Sequence, residues 1–318
     1  MVNYPLTNGQ MMIVYVVGEH YQSPARVLIN PVNTVGIMGS GHAFDFKRFF
    51  PDMYTQYQEL CQQDRFNIGQ LLLYKTPHKW ILNFPEKGHF RANVRAEHIA
   101  DGLKKFVATH SEQGITSASF PALGDDDDKL DWDNEIRPMM EAYLNPLPIL
   151  VYVHLNEPDN PYNMPKRNIR SVRSWLMGQT RHITFDKFWR DIKNIVQSKP
   201  NLRTLDSTLE RFHVGVAVGR NKRGRNLMLR VNDSPKPIFL SQSILSDLWN
   251  YVTRTGYVLP HNLPNELDKH ARYIVPLLSQ LDYVDAVQLW AVGAERSIGL
   301  QYIPPLDRKD DRVIVELT

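Results

Sequence analysis

A glycine-rich segment directly after an apolar run is the feature that most restricts how this chain can fold. The apolar run covers residues 25–29, and the segment that follows, Asn30 to Ala43, reads N-P-V-N-T-V-G-I-M-G-S-G-H-A. Glycine accepts positive φ and lets a ligand approach the main chain, so backbone N–H groups and the N-terminus of the next helix can face an anion. The segment predicts a strand, a phosphate-binding turn and a helix. The alternative is an ordinary glycine turn.

Apolar runs in the first half of the chain alternate with helical patterns. The runs typical of strands are residues 11–17, 26–30, 69–74, 79–84, 115–120 and 148–155. Between two of these runs, Ile99, Leu103, Phe106 and Val107 are spaced to lie on one helix face. Such alternation predicts a three-layer α/β domain.

Two further segments complete a pattern with the glycine-rich one. Residues 83–87 read N-F-P-E-K after a strand-like run, and residues 120–132 read F-P-A-L-G-D-D-D-D-K-L-D-W. Together the three segments resemble a macrodomain, in the branch of the DarG antitoxins and the terminal ADP-ribose protein glycohydrolase. That branch shows a similar N-T-V-G-x-M-G-x-G-x-A loop and a lysine after the fourth strand. The resemblance covers about residues 10–158 and implies an α/β three-layer macrodomain with a mixed sheet and ligand loops at one edge of the strand ends.

The resemblance also implies ADP-ribose as the ligand. The 33–43 loop would wrap the diphosphate and distal ribose through backbone N–H groups, with the Asn33 amide on the ribose hydroxyls. Glu19 stands where the family usually has an aspartate that accepts from the adenine amino group, and whether this longer side chain reaches the adenine stays open. Asn30 would support the loop. The implied ligand-binding residues are Glu19, Asn30, Asn33, Gly36, Gly39, Gly41, Ala122, Leu123 and Gly124.

Lys87 and Asp128 are the catalytic residues that the resemblance implies. In the resembling hydrolases the lysine attacks the anomeric carbon of the distal ribose, and an acidic residue in the second loop assists departure of the linked group. Lysine is a nucleophile only as a neutral amine, so its pKa would have to fall from about 10.4 by about 3. The alternative is a solvated lysine.

The second loop departs from these relatives, which have G-C-G where this chain has Gly124-Asp125-Asp126. A carboxylate held about 4 Å from a phosphate charge costs about 1 kcal/mol in water and about 4 kcal/mol at an effective dielectric of 20, so two misdirected aspartates could abolish binding. Three outcomes stay open: the carboxylates point to solvent, Lys129 offsets their field, or Mg²⁺ bridges Asp125, Asp126 and the diphosphate. No cofactor is otherwise expected.

Charge separates the two halves of the chain. Residues 1–160 hold 13 Lys/Arg and 19 Asp/Glu, a formal charge of −6, whereas residues 161–318 hold 24 and 15, a charge of +9. The segment 166–236 alone has 17 basic and 5 acidic residues. Residues 156–165 contain three prolines and have turn character. We therefore predict a macrodomain at 1–158, a linker at 159–168 and a separate basic α+β domain of unknown family at 169–318.

The second half has its own order of elements. Helices are predicted at 185–196, capped by Thr184, at 244–253, capped by Ser241, and at 266–281, where the helix is interrupted or kinked near Pro276. A hairpin is predicted at 212–218 and 227–231, and strands at 286–292, 298–303 and 312–317. The hairpin tip carries four cations that have no packing role, which predicts contact with a nucleic-acid backbone, against the alternative of a solvated basic face. These cations are Arg220, Lys222, Arg223 and Arg225.

Composition narrows the chemistry and the compartment. Cys61 is the only cysteine, which excludes an intrachain disulfide and a cysteine-based zinc site. No apolar run approaches the ~18 residues of a membrane span, so we expect a cytoplasmic protein. We expect no metal site among the histidines, because His42, His89 and His98 show no pairing of metal ligands.

The segments together predict a hydrolase that removes ADP-ribose from nucleic acid or protein, as an antitoxin or in phage defence. Its partners would be the ADP-ribosylated substrate, an ADP-ribosyltransferase toxin, and nucleic acid at the basic domain. One alternative is a catalytically inactive macrodomain whose second loop weakens ADP-ribose binding. Another is an interaction protein whose second half grips a toxin or nucleic acid.

Overall fold

The computed structural model describes residues 13–124, 130–157, 160–161, 169–218, 225–231 and 236–306. Its contacts divide the chain into two compact units. The first holds the residues up to Gly178 together with 291–294, and the second holds 179–290 together with the residues from Glu295 onward. Within the described ranges, no helix is both long enough and apolar enough to cross a membrane.

The first unit alternates strands with helices. Its strands are β1 (Ile13–Val17), β2 (Val27–Asn33), β3 (Leu72–Lys75), β4 (Trp80–Lys87), β5 (Ser117–Pro121) and β6 (Leu150–Leu155). Its helices are α1 (Gly41–Phe49), α2 (Pro51–Gln62), α3 (Ala96–Thr109), α4 (Arg137–Leu144) and α5 (Ile169–Met177). The six strands predicted for this half are thereby confirmed. Helix α5 lies in this unit, although the second domain was predicted to begin at residue 169.

The strands of the first unit form one mixed sheet in the order β1-β6-β5-β2-β4-β3. Strands β1, β6, β5, β2 and β4 run parallel, and β3 pairs antiparallel with β4. Residues 81–86 of β4 are all buried, and because successive strand residues point to opposite faces, both faces of the sheet are covered. The predicted α/β fold with a mixed sheet is confirmed.

Helix α3 shows how the sequence pattern directs the packing. Ile99, Leu103 and Phe106 are fully buried, as their spacing predicted, while Val107 is half-buried. The helix packs on β4 and α4. Burying each of these large side chains stabilises the fold by about 1.5–3 kcal/mol, so this face holds α3 against the sheet.

The described residues of the second unit form two groups of antiparallel strands and three α-helices. One sheet has the order β10-β9-β8-β7, and in the other β13 lies between β11 and β12. The strands are β7 (Asn201–Arg203), β8 (Arg211–Val218), β9 (Arg225–Val231), β10 (Ile238–Leu240), β11 (Tyr257–Val258), β12 (Val284–Ala291) and β13 (Ser297–Tyr302). The helices are α6 (Phe185–Ser198), α7 (Gln242–Thr255) and α8 (Ala271–Leu278).

Both predicted helix caps of the second unit are confirmed. The Thr184 hydroxyl accepts from the Lys187 N–H at 3.4 Å, and the Ser241 hydroxyl accepts from the Ile244 N–H at 3.3 Å. The prediction of one helix over 266–281 is wrong in extent, since a 3₁₀ turn at Leu267–His270 precedes the shorter α8. The strand predicted at 312–317 lies outside the described residues.

Aromatic side chains build the core of the second unit. Phe188 stacks on Trp249 with ring centroids 4.5 Å apart, and both rings are buried. Trp189 is buried as well, and Trp175 is buried in the first unit. These rings fill cores, so none of them offers a face on which a nucleic-acid base could stack.

Candidate functional site

A cleft of about 330 Å³ opens in the first unit where its parallel strands end. Strands β1, β2, β4, β5 and β6 share one direction, so their carboxyl ends meet at the same edge of the sheet. The sequence-predicted residues that line the cleft are Glu19, Asn33, Gly39, Gly41, Lys87, Ala122 and Gly124. Residues that lie far apart in sequence are therefore brought together as predicted.

Three residues of the predicted ligand-binding set lie behind the cleft wall. The Asn30 amide donates to the Asn83 side-chain oxygen at 2.8 Å, and both residues are fully buried. Leu123 is fully buried among apolar residues. Gly36 packs against helix α2. All three act as supports of the wall in this structure, and Asn30 was predicted in that role.

The Asn33 side chain holds the glycine-rich loop in place. Its oxygen accepts from the backbone N–H groups of Val35, at 3.1 Å, and of Ile37, at 3.3 Å, and its amide donates back to the Ile37 carbonyl at 2.5 Å. The buried Tyr57 hydroxyl donates to the Asn33 carbonyl at 2.7 Å. An amide nitrogen has two donors, so contact with a ligand must use the second N–H of Asn33.

Gly36 shows why this turn requires glycine. Its φ is +79°, a left-handed conformation that side chains disfavour. A Cβ atom there would also lie 3.3 Å from the Cβ of Cys61 on α2. Burial raises the pKa of the Cys61 thiol, which keeps it protonated. Cys61 is thus a packing residue behind the loop.

Helix α1 points its N-terminus into the cleft. Residues 39–43 line the cleft, and α1 begins within them at Gly41. Its N-cap, Ser40, makes no side-chain hydrogen bond to the helix. The first N–H groups of a helix have no partner within the helix, and the helix dipole adds positive potential there. This end of α1 is therefore suited to an anionic group such as a phosphate.

Lys87 lies beside the glycine-rich loop. It is the last residue of β4, is half-buried, and is paired in register with Asn33 across an irregularity in β2. The Thr34 hydroxyl donates to the Gly88 carbonyl at 2.9 Å, which ties the two loops together. A lysine and the glycine-rich turn are thereby placed on one wall of the cleft.

The second loop is described only up to Gly124 and again from Leu130. Gly124 has a φ of +74°, and a Cβ atom there would lie 2.8 Å from the Leu130 side chain. The Ala122 N–H donates to the His154 carbonyl at 3.0 Å, which ties the start of the loop to β6. The predicted acid Asp128 and the predicted magnesium ligands Asp125 and Asp126 lie outside the described residues.

A group of three histidines at the floor of the cleft was not predicted. The His20 and His42 rings meet at 4.7 Å, and those of His20 and His154 at 6.2 Å. Burial lowers the pKa of His20 well below 6.5 and that of His154 to about 3, so both rings are neutral at pH 7. His154 and His42 line the cleft. Only the position of His42 after Gly41 could have indicated this from sequence.

A tyrosine–carboxylate pair adds a further polar wall. The Tyr21 hydroxyl donates to Asp45 on α1 at 3.0 Å, and both residues line the cleft. Burial and the nearby Asp45 raise the pKa of Tyr21, which therefore stays a neutral donor. At the rim, Ile37 and Phe90 are more than a third exposed and line the cleft. The rim thus offers apolar surface above a polar floor.

Among the described residues, no group of three or more His, Cys, Asp or Glu side chains is arranged to hold a metal ion. The other histidines named from the sequence bond locally: His98 to the Glu86 carbonyl at 3.2 Å, and His89 to the Arg91 N–H at 3.2 Å. Arg225 is exposed at the start of β9. The remaining hairpin-tip cations, Arg220, Lys222 and Arg223, lie outside the described residues.

Comparison with known proteins identifies the first unit. The model of the Macro domain family matches residues 29–138. The solved macrodomain of Thermus aquaticus DarG is 36% identical and covers 46% of this chain and 99% of that one, with a TM-score of 0.43. The chain belongs to the macrodomain family. The cleft described above is therefore the cleft of its macrodomain.

Two curated relatives share this macrodomain. A DNA ADP-ribosyl glycohydrolase of Thermus aquaticus is 35% identical over 153 residues, which are 46% of this chain and 42% of the relative. A DNA ADP-ribosyl transferase–DNA ADP-ribosyl glycohydrolase fusion protein of Thermosipho africanus is 32% identical over 157 residues, 43% of this chain and 40% of the relative. The chain thus spans about two fifths of the length of these relatives.

Proposed function

We propose that the macrodomain binds ADP-ribose in its cleft and removes ADP-ribosyl groups from DNA by hydrolysis. The observation that carries this proposal is the placement of Lys87 beside the loop at 33–41, which opens onto the N-terminus of α1. A nucleophile and a diphosphate site then lie on the same cleft wall. The names of the relatives from Thermus aquaticus and Thermosipho africanus support DNA as the substrate.

The cleft has a matching group for each part of the ligand. The diphosphate fits the loop and the first turn of α1, where N–H groups and the helix dipole favour anions. The distal ribose then lies toward Asn33 and Lys87. Glu19, exposed at the opposite end, is the acceptor available for the adenine amino group. The neutral His20 and His154 add no charge to this floor.

The proposed reaction has two steps. The neutral Lys87 amine attacks the anomeric carbon of the distal ribose, a C–N bond forms, and the bond from that carbon to the modified base breaks. Asp128 donates the proton that the leaving base takes up. Water then attacks the anomeric carbon and gives its proton to the Asp128 carboxylate while the bond to the lysine nitrogen breaks, so that ADP-ribose and the neutral Lys87 amine are released. The exposed Phe90 ring at the rim offers apolar surface to the departing base.

The same relatives support a biological setting. One is a fusion of a DNA ADP-ribosyl transferase with a glycohydrolase. We therefore propose an ADP-ribosyltransferase toxin as the partner whose modification this macrodomain reverses, in the role of an antitoxin. The segment 166–236, which has a formal charge of +12, would bring the enzyme to nucleic acid. The phosphate backbone of the nucleic acid would be contacted by Arg220, Lys222, Arg223 and Arg225.

A second candidate function follows from the second loop. Asp125 and Asp126 stand where the resembling proteins have no carboxylate, and repulsion of the diphosphate there would leave a macrodomain that binds weakly and does not hydrolyse. Mg²⁺ between these aspartates and the diphosphate would restore binding. Activity measured with and without Mg²⁺ separates the two functions.

Release of ADP-ribose from defined substrates tests the proposal. The full chain is incubated with a single-stranded oligonucleotide carrying one ADP-ribosylated base and, separately, with a mono-ADP-ribosylated protein, and free ADP-ribose is measured by chromatography. We expect release from the oligonucleotide. Release from the protein alone would overturn DNA as the substrate, and release from neither, with or without Mg²⁺, would favour the inactive binding module.

A further inference from the structure

Among the described residues of the second unit, the helices that contact the sheet of β7 to β10 are α6, α7 and α8, and they lie on one of its two faces. Phe212, Val214, Leu227 and Leu229 point into the core, against the helices. Alternate residues of the same strands point outward, and many of them are exposed. The outward residues, which we call the open sheet face, are Asn201, Arg203, Arg211, His213, Gly215, Ala217, Asn226, Met228, Arg230 and Phe239.

Positive charge on the open sheet face is not balanced. Arg203, Arg211 and Arg230 are exposed, and within the described part of the chain none of them has an ion-pair partner. The face itself contains no Asp or Glu. The nearby Glu210 points to the other side, where it contacts Arg272 at 3.2 Å and accepts from the Tyr273 hydroxyl.

The register places two of the arginines against each other. Arg203 of β7 is directly opposite Arg211 of β8, while Arg230 of β9 is directly opposite His213. Like charges at such positions destabilise a sheet, whereas a Glu at any one of them would have relieved the repulsion. The His213 ring nitrogen Nδ1 lies 3.1 Å from the Asn201 side-chain oxygen. An anion bound across the face would offset this cost.

A row of apolar residues across the strands lies beside the cross-strand pairs that contain the arginines. Phe239, Met228 and Gly215 are cross-strand neighbours on β10, β9 and β8. Phe239 is 51% exposed, and a Cβ on Gly215 would lie 3.1 Å from the Met228 methyl group. The Met228 side chain therefore lies over Gly215, with the exposed Phe239 ring on the next strand. A planar group can lie against Phe239 and Met228.

We propose that the open sheet face binds single-stranded nucleic acid, with phosphates on the three arginines and one base on Phe239. This proposed binding surface lies on strands β7 to β10 and shares no residue with the macrodomain cleft. It rests on the proposed function only for the choice of nucleic acid as the partner. Stacking and backbone contacts of this kind bind single strands with little sequence preference.

The pattern of the face favours a single strand over the other polyanions. A duplex keeps its bases stacked inside, so it would leave the row of Phe239 and Met228 without a partner. An acidic peptide would satisfy the arginines but has no planar aromatic group for the ring. Rows of outward residues recur about 7 Å apart along a strand, so the cationic rows and the apolar row lie within one short segment of a bound strand.

Binding of unmodified oligonucleotides by the full chain tests this surface. The probe is a fluorescein-labelled 12-residue oligodeoxythymidylate, measured by anisotropy at several salt concentrations. The variant R203Q/R211Q/R230Q removes the cations of the face. The control R190Q/K199Q/R254Q removes equal charge from exposed positions on the helices α6 and α7 and the residue after α6. The variant F239A tests the stacking.

We expect the arginine variant to reduce the slope of log affinity against log salt by about 2, since single strands give about 0.7 for each phosphate neutralised. The control should leave this slope nearly unchanged. F239A should weaken binding roughly tenfold with no change in slope. Because the probe carries no ADP-ribose, these results do not depend on the cleft or its chemistry.

Three results would overturn the proposal. The first is an arginine variant whose salt slope equals that of the control. The second is a 12-base-pair DNA duplex that binds more tightly than the single strand. The third is labelled polyglutamate that binds as tightly as the oligonucleotide. Circular dichroism of each variant verifies folding. If the arginine variant fails to fold, the single variants R230Q and F239A are measured instead. Unchanged oligonucleotide affinity in both of them would contradict the proposed surface.

Discussion

The macrodomain cleft and the open sheet face, the two proposed nucleotide sites, are built in different ways. The cleft is formed mainly by backbone groups, namely parallel strand ends, a glycine turn and a helix N-terminus, and the Lys87 side chain lies beside them. On the sheet face, side chains supply the positive charge, through Arg203, Arg211 and Arg230. A backbone site selects one ligand by geometry, whereas a charged face accepts any strand that carries phosphates.

Replacement of Lys87 should produce the largest effect. We expect Lys87→Ala to abolish release of ADP-ribose while leaving ADP-ribose affinity within about tenfold, because the amine acts mainly in the transition state. Asp128→Ala should act in the same way. Release is measured with the ADP-ribosylated oligonucleotide, and affinity by calorimetry.

The matched control is Lys105→Ala, which removes an exposed lysine on α3 outside the cleft. It should leave release unchanged. Full activity in the Lys87 variant would exclude the covalent mechanism. Activity that is retained only by the Asp128 variant would assign the proton to water or to another acid of the second loop.

Replacement of Asn33 should have the next largest effect. Asn33→Ala removes the acceptor that holds the Val35 and Ile37 N–H groups as well as the N–H available to a ligand. We expect ADP-ribose affinity to fall by about 1–3 kcal/mol, measured by calorimetry. Tyr57→Phe removes a hydroxyl that supports the same loop from behind. A loss in Tyr57→Phe as large as that in Asn33→Ala would mean that Asn33 acts only by holding the loop.

Lys79 contrasts with the exposed arginines of the sheet face. Its amine donates to the carbonyls of Ser23, at 2.6 Å, and Ala25, at 2.5 Å, and lies 5.3 Å from the centre of the Trp175 ring. Burial, aided by the charge of Arg26, lowers the pKa of Lys79 to about 7. Above pH 7 the folded state therefore holds a neutral amine, whereas the unfolded chain stays protonated up to about pH 10.4.

This difference predicts a modest dependence of stability on pH. The unfolded state binds more protons between pH 7 and 10, so the free energy of unfolding should rise with pH, by about 2 kcal/mol between pH 7 and pH 9. Lys79→Met should remove that rise, and Lys105→Met should retain it. Urea denaturation followed by tryptophan fluorescence measures both. An equal rise in Lys79→Met would show that Lys79 is charged in the folded protein.

The elements that could be predicted from the sequence are those whose signals are local. The strands before Asn30 and Lys87, the glycine turn and the caps at Thr184 and Ser241 depend on adjacent residues, and the structure has them there. The helix predicted over 266–281 was too long, because a 3₁₀ turn precedes α8 and α8 ends at Leu278. Helix α8 continues through Pro276, near which an interruption or kink was predicted.

Features that depend on tertiary structure could not be predicted. His20, His42 and His154 meet because the ends of distant strands converge, and no spacing in the sequence shows this. The register that places Arg203 against Arg211 depends on β7, whose three residues are too few for their alternation to predict a strand. The burial of Lys79 could not be predicted either, because a lysine before a strand is normally expected at the surface.

Calorimetric titration of the full chain with ADP-ribose tests the central claim, that the macrodomain cleft is an ADP-ribose site, most directly. The titration is run with Mg²⁺ and with a chelator. We predict saturable heat with one site per chain and its loss or weakening in Asn33→Ala. Heat that requires Mg²⁺ would place the metal at the aspartates of the second loop. No heat at millimolar ADP-ribose under either condition would contradict the assignment of the cleft.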